Sequence, residues 1–230
     1  MNISSAVVCG WLGFVMTKGD ISLGLVPDLG GRIMSLQFRG QELFYPSVGP
    51  KGEFPVLPEG DIPDMAAFKR SFGFQIFGGD KTWVAPESAW LEKIPPLDLD
   101  AGRYSFEQKK DGCVMTSPVC RETGLQVVRH LAFLEGGDIA LVETLRNKTQ
   151  HPVSRSIWNV TQVARPFDVF IPAGLQAIRS YHLDDTTLPD PQFIPFEKDG
   201  WVVIPCRNDV CFKFGGPVRE GRIAVIKETP

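Results

Sequence analysis

Apolar residues recur along much of this chain with a period of two. Met34, Leu36 and Phe38 alternate with Ser35, Gln37 and Arg39, and Tyr104 and Phe106 alternate with Arg103, Ser105 and Glu107. Further on, Arg155, Ile157, Asn159 and Thr161 alternate with Ser156, Trp158, Val160 and Gln162. Successive side chains of a strand point to opposite faces, so each stretch predicts a half-buried strand. Turn signals fall between such stretches: Lys18-Gly19-Asp20, Arg39-Gly40, Asp111-Gly112, Glu135-Gly136-Gly137-Asp138, Asp199-Gly200 and Arg207-Asn208-Asp209. Asp-Gly between strand-like runs is a hairpin signal, and hairpins join antiparallel strands. The apolar run over residues 6–16 (AVVCGWLGFVM) has no basic residue before it and no small-residue cleavage pattern after it, which predicts a buried first strand or hairpin rather than a secretory leader. Only residues 62–71 predict a helix, with Pro63 near its first turn.

The pattern therefore predicts an all-β, antiparallel fold with about a dozen strands or more. Two proline-rich segments, residues 46–63 and 85–102, break the alternation. Loops of that length in a compact domain are usually functional or disordered. They flank FGGDKTWVAPESAW, residues 77–90, which concentrates glycine, charge and tryptophan.

Composition narrows the classes. With 230 residues, 43% of them hydrophobic, the chain can form one domain over residues 1–230 with a sizeable core. Charged residues make up 22%, the net charge is -3, and no basic stripe exists, so nucleic acid is not an expected partner. No apolar stretch reaches 18 residues, so no membrane-spanning helix is expected. The five cysteines (Cys9, Cys113, Cys120, Cys206 and Cys211) form no C-x-x-C pair and have no histidine spaced to complete a zinc site. Free thiols in a reducing, cytoplasmic compartment, with no metal and no cofactor, are the expectation.

Gly78-Gly79-Asp80-Lys81-Thr82 is not a phosphate loop. Gly73 and Gly78 have the right separation, but position 79 is glycine rather than lysine, and Pro86 interrupts any following helix. No G-x-S-x-G stands for a Ser/His/Asp hydrolase. A sugar site suits the same residues better. Trp83 and Trp90 offer flat apolar faces for the C–H side of a sugar, and Asp80, Lys81 and Glu87 offer partners for hydroxyls. The bland alternative is that the tryptophans are core and the charges solvate a turn. Three histidines, His130, His151 and His182, show no spacing signature. His130 sits in the strand-like run at residues 124–134 and is either a buried strand residue or an acid/base candidate.

Three further stretches carry a resemblance. VPDLGGRIMSL (residues 26–36), LRNKTQHPV (145–153) and SIWNVTQ (156–162) resemble the galactose mutarotase-like superfamily, and GGDKTWVAPE looks like a hallmark of a bacterial branch of it. The match is discontinuous over about residues 20 to 226. It implies a β-supersandwich, two large stacked antiparallel sheets with a sugar cleft on a concave face. In the aldose 1-epimerase members a histidine acts as general acid and a glutamate near the C-terminus as general base. Where those members carry Asn-His, this chain has Asn159-Val160. The glutamate belongs to a continuation beyond the stretch resembling residues 212–226, and this sequence stops at Pro230, so neither group can be carried across.

If Val160 takes the cleft-facing place of the histidine, alternation sends Trp158 and Gln162 the same way and Asn159 and Thr161 the other. Trp158 then either stacks on a sugar ring or fills the space the histidine leaves. The expected site is Asp80, Lys81, Trp83, Glu87, Trp158 and Gln162, with His130 as the reserve acid/base. The expected function is binding of a small-molecule carbohydrate, with aldose 1-epimerase-like isomerase activity as its enzymatic form. The alternatives are a catalytically inactive sugar-binding or regulatory module, or a structural domain that forms a homodimer through an unpaired sheet edge.

Overall fold

The computed structural model describes residues 1–45, 57–181, 195–206, 213–218 and 221–227. The Arg207–Asp209 turn signal, His182, Cys211 and most of the segment at residues 46–63 lie outside them. In chain order the strands are β1 Asn2–Val8, β2 Trp11–Lys18, β3 Ile21–Val26, β4 Arg32–Phe38, β5 Gln41–Glu42, β6 Asp80–Ala85, β7 Ser105–Gln108, β8 Gly112–Thr116 and β9 Leu125–Phe133. They continue with β10 Ile139–Asn147, β11 Ser156–Thr161, β12 Phe167–Ile171, β13 Arg179–Tyr181, β14 Phe196–Lys198, β15 Trp201–Cys206, β16 Lys213–Gly215 and β17 Ala224–Ile226. The strand pairings are antiparallel, and the fold is all-β and sandwich-like. Two compact units are distinguished, Met1–Val163 and Ala164–Pro230.

In the first unit, a seven-stranded sheet runs β1-β2-β3-β4-β6-β11 with β5 attached to β4, and a four-stranded sheet runs β10-β9-β8-β7. The two sheets face each other. Met16, Leu23, Leu25 and Ile33 of the first pack against Cys113, Leu131 and Phe133 of the second, and Phe14 stacks on Phe106 with ring centroids 3.9 Å apart. The outer face of the seven-stranded sheet is covered in part by helix α1 (Met65–Phe72), by the stretch that follows it and by the segment at residues 85–102, through Phe72, Phe77, Ile94 and Leu97 against Val26 and Met34. The second unit holds a four-stranded sheet, β14-β15-β12-β17, and the pair β13-β16, around a core of Ile171, Val202, Ile204 and Cys206.

The predicted hairpin turns fall between β2 and β3, β4 and β5, β7 and β8, β9 and β10, and β14 and β15. Residues 6–16 form the β1–β2 hairpin, which turns at Cys9-Gly10, but Val7 and Leu12, paired across it, are exposed rather than buried. The helix starts later than proline placement suggests. Asp64 is its N-cap and accepts a hydrogen bond from the Ala67 amide at 2.9 Å, which leaves Pro63 outside the first turn. The irregular segment at residues 85–102 is built from 3-10 turns at Glu87–Ala89 and Leu91–Lys93 and the short helix α2 (Leu97–Asp100). Cys9, Cys113, Cys120 and Cys206 form no disulfide with one another, and burial pushes the Cys113 thiol up to about 12. Among the described residues no helix is long and apolar enough to cross a membrane.

Candidate functional site

Strand β6 begins at a double glycine. Both Gly78 and Gly79 have positive φ, and a Cβ on Gly79 would stand 2.4 Å from the Ile33 carbonyl oxygen. Glycine therefore lets β6 close onto β4, where Asp80 pairs with Ile33. From that register, alternation sends Asp80, Thr82 and Val84 between the two sheets and Lys81 and Trp83 to the outer face.

Strand β11 pairs with β6 so that Trp158 lies opposite Trp83 and Val160 opposite Lys81. Trp83 and Trp158 meet edge to face with centroids 5.3 Å apart, a favoured aromatic geometry. The 3-10 turns return Trp90 to this cluster. It stacks on Trp158 at 5.8 Å, meets Trp83 edge-on at 5.2 Å, and donates its indole N–H to the Val84 carbonyl at 2.6 Å. Phe74, largely exposed, adds an edge contact to Trp83 at 6.0 Å. Trp90 is buried, whereas Trp83 and Trp158 are half-buried.

The polar groups of this face are fixed from three elements. Lys81 Nζ lies 4.5 Å from the centroid of the Trp83 ring and donates to Gln162 Oε1 at 3.2 Å. The Gln162 backbone N–H donates to the Gly79 carbonyl at 2.9 Å. Asp100, at the end of α2, accepts the Trp83 indole N–H at 2.7 Å and Arg32 at 2.6 Å on the same carboxylate oxygen. Arg32 is fully buried and also donates to the carbonyls of Gly78 and Asp100, both at 3.1 Å. Burial first, and the Arg32 charge second, hold the Lys81 ammonium down at about 8, against the pull of Asp100 and Asp80.

The expected residues divide. Lys81, Trp83, Trp158 and Gln162 come together on the outer face. Asp80 does not join them: it is buried between the sheets, where Arg129 donates to its carboxylate and to its carbonyl. Glu143 accepts from Arg129 and from Thr82, and Asn159 and Thr161, both exposed, extend this network by donating to Glu143 and to Asp80. Glu87 is exposed on the first 3-10 turn. His130 is exposed on the outer face of the four-stranded sheet, since its neighbours Arg129 and Leu131 point inward. Both sheets thus separate His130 from Lys81, and it is no acid/base partner for this face.

Arg32, Asp100 and Arg129 belong to the site's framework although spacing did not single them out. Their signal was present: a lone arginine inside an apolar strand run, as in GGRIM and VVRHL, demands a buried carboxylate partner. Among the described residues no three His, Cys, Asp or Glu side chains converge as metal ligands would.

These features define an antiparallel β-sandwich protein with a tryptophan-lined outer face. The sequence matches no family model and no curated protein. Among solved structures it is similar to the crystal structure of 4-alpha-glucanotransferase from Thermococcus litoralis, with a TM-score of 0.40 and 11% identity over 79% of this chain and 29% of that one. The chain spans less than a third of that protein's length, and at this level of similarity neither architecture nor activity carries over.

Proposed function

We propose that the outer face of β6 and β11 binds a carbohydrate, in the manner that the resemblance to galactose mutarotase-like proteins implies. The observation that carries this reading is the placing of two half-buried tryptophans, Trp83 and Trp158, in register beside the hydrogen-bonded pair Lys81 and Gln162. Aromatic faces take the C–H side of a sugar ring, while an ammonium and a side-chain amide supply donors and acceptors for its hydroxyls. A partly apolar surface with a few fixed polar groups is the usual construction of a small-molecule site. Binding or sensing is the primary role. Anomer interconversion is its enzymatic form, and it would need an acid other than the histidine replaced at Val160.

A ligand that binds only the folded protein raises apparent stability, so a thermal-shift screen of aldoses and their phosphates tests the reading directly. At least one sugar should stabilise the wild type, and Trp83→Ala and Trp158→Ala should each weaken its binding. Unchanged affinity in both variants overturns the assignment. NMR exchange between the α and β anomers then separates an enzyme from a binder.

A further inference from the structure

Among the described residues of the first unit, four cationic side chains are buried: Arg32, Lys69, Lys81 and Arg129. Three have carboxylate partners. Arg32 pairs with Asp100 at 2.6 Å, Lys69 with Glu122 at 2.7 Å, and Arg129 with both Asp80 and Glu143. Lys81, only 3% exposed, forms no ion pair among the described residues. Its ammonium meets the Gln162 side-chain amide oxygen and the Trp83 ring. Buried charges are ordinarily paired, and a lysine ammonium carries three donors.

The charged groups around it leave the deficit in place. Arg32 on β4 adds a second positive charge. The Asp100 carboxylate is already engaged by Arg32 and Trp83. Asp80, its own neighbour on β6, points through to the opposite face of the sheet and is held there by Arg129 and Thr161. Among the described residues, the groups around Lys81 therefore set two cations, Arg32 and Lys81 itself, against one carboxylate, Asp100, and the lysine lies against two half-buried groups, Trp83 and Gln162, on the side of the tryptophan cluster.

Resting on the carbohydrate reading, we infer that the ligand of this face is an acidic sugar, whose anionic substituent pairs with the Lys81 ammonium while its ring lies against Trp83 and Trp158. The anion is a carboxylate, sulfate or phosphate on the sugar. It supplies the counter-charge that Lys81 lacks, as carboxylates do for the other three buried cations. An anion binds the protonated amine, and the amine of the free protein titrates near 8. The preference for acid over neutral sugar should therefore hold at pH 6.5 and decline as the pH rises through that value.

The test is calorimetric titration of the full chain with glucose, glucuronate, glucose 6-sulfate and glucose 6-phosphate, and with the galactose series, at pH 6.5 and pH 9.5. The expected result is that one acidic sugar binds at least tenfold more tightly than its neutral parent at pH 6.5, which also identifies the anion. At pH 9.5 that advantage should largely vanish. Lys81→Met and Lys81→Gln should remove the advantage, so that an acid and its neutral parent bind each variant within about threefold of one another, and Lys81→Arg should keep it. A neutral sugar that binds as well as its acids overturns this inference and leaves the carbohydrate reading standing, as does an acid preference that survives in both uncharged variants. Failure of every sugar to bind a folded wild type overturns both.

Discussion

The Trp83 indole N–H and the Asp100 carboxylate are joined by a 2.7 Å hydrogen bond, and the oxygen that accepts it also accepts Arg32 at 2.6 Å. One carboxylate oxygen thereby ties β4, β6 and the segment at residues 85–102 together under the tryptophan cluster. Replacing Asp100 by Asn keeps the volume and removes the charge, leaving Arg32 buried without compensation. Loss of one partner of a buried ion pair costs on the order of 3–5 kcal/mol. Urea unfolding of Asp100→Asn should give an unfolding free energy lower by that amount, and a value within about 0.5 kcal/mol of wild type would contradict the geometry described for Arg32.

Lys81 predicts a pH dependence with a definite sign. Its amine titrates near 8 in the folded protein, below the ordinary lysine value of about 10.4. Below pH 8 both states hold the proton and folding bears the full cost of burying the charge. Between about 8 and 10.4 the unfolded chain keeps a proton that the native state has released, so stability rises with pH across that window. Above it the contribution is gone. Lys81→Met has no such group. The stability of Lys81→Met relative to wild type should therefore be most favourable below pH 8 and fall by roughly 2–3 kcal/mol as pH rises to about 10.4, since one pKa unit corresponds to about 1.4 kcal/mol. Paired urea titrations at pH 7 and pH 10.4 read this difference directly, because the other titrating groups cancel between the two proteins.

His130 is exposed on the far side of the sandwich from Lys81. His130→Ala should change unfolding free energy by no more than about 0.5 kcal/mol, as surface substitutions away from special features do. Sugar affinity and any anomer exchange should also be unchanged. A loss of either would place a ligand on the four-stranded sheet instead.

Gly79 holds β6 against β4. Its φ is +69°, and an added Cβ would meet the Ile33 carbonyl oxygen at 2.4 Å, a backbone atom that cannot swing aside. Gly79→Ala combines left-handed strain with that clash, a mechanism that costs on the order of 1–3 kcal/mol or more. Reduced stability together with weakened sugar binding is expected, since Asp80, Lys81 and Trp83 all take their positions from this junction. Gly19→Ala, which has positive φ but open space around the added methyl, should cost less in the same unfolding assay.

The sequence by itself determined what depends on neighbouring residues. Period two and the Gly-containing turns marked the strands and hairpins, because pleating and turn geometry act over a few residues. The same alternation, applied to SIWNVTQ, put Trp158 and Gln162 on one face and Asn159 and Thr161 on the other, and in the structure Trp158 lies opposite Trp83 and Gln162 accepts from Lys81, while Asn159 and Thr161 turn to Glu143 and Asp80. Applied equally to DKTW, it would have parted Asp80 from Lys81 and Trp83. What only the tertiary structure decided is which distant groups meet. Asp80 is claimed by Arg129, 49 positions away, Arg32 by Asp100 across 68, and Trp90 is folded back onto Trp158 by short 3-10 turns that leave no periodic trace. The face to which His130 points likewise depends on which side of its sheet is buried, and burial is a property of how two sheets stack rather than of either strand alone.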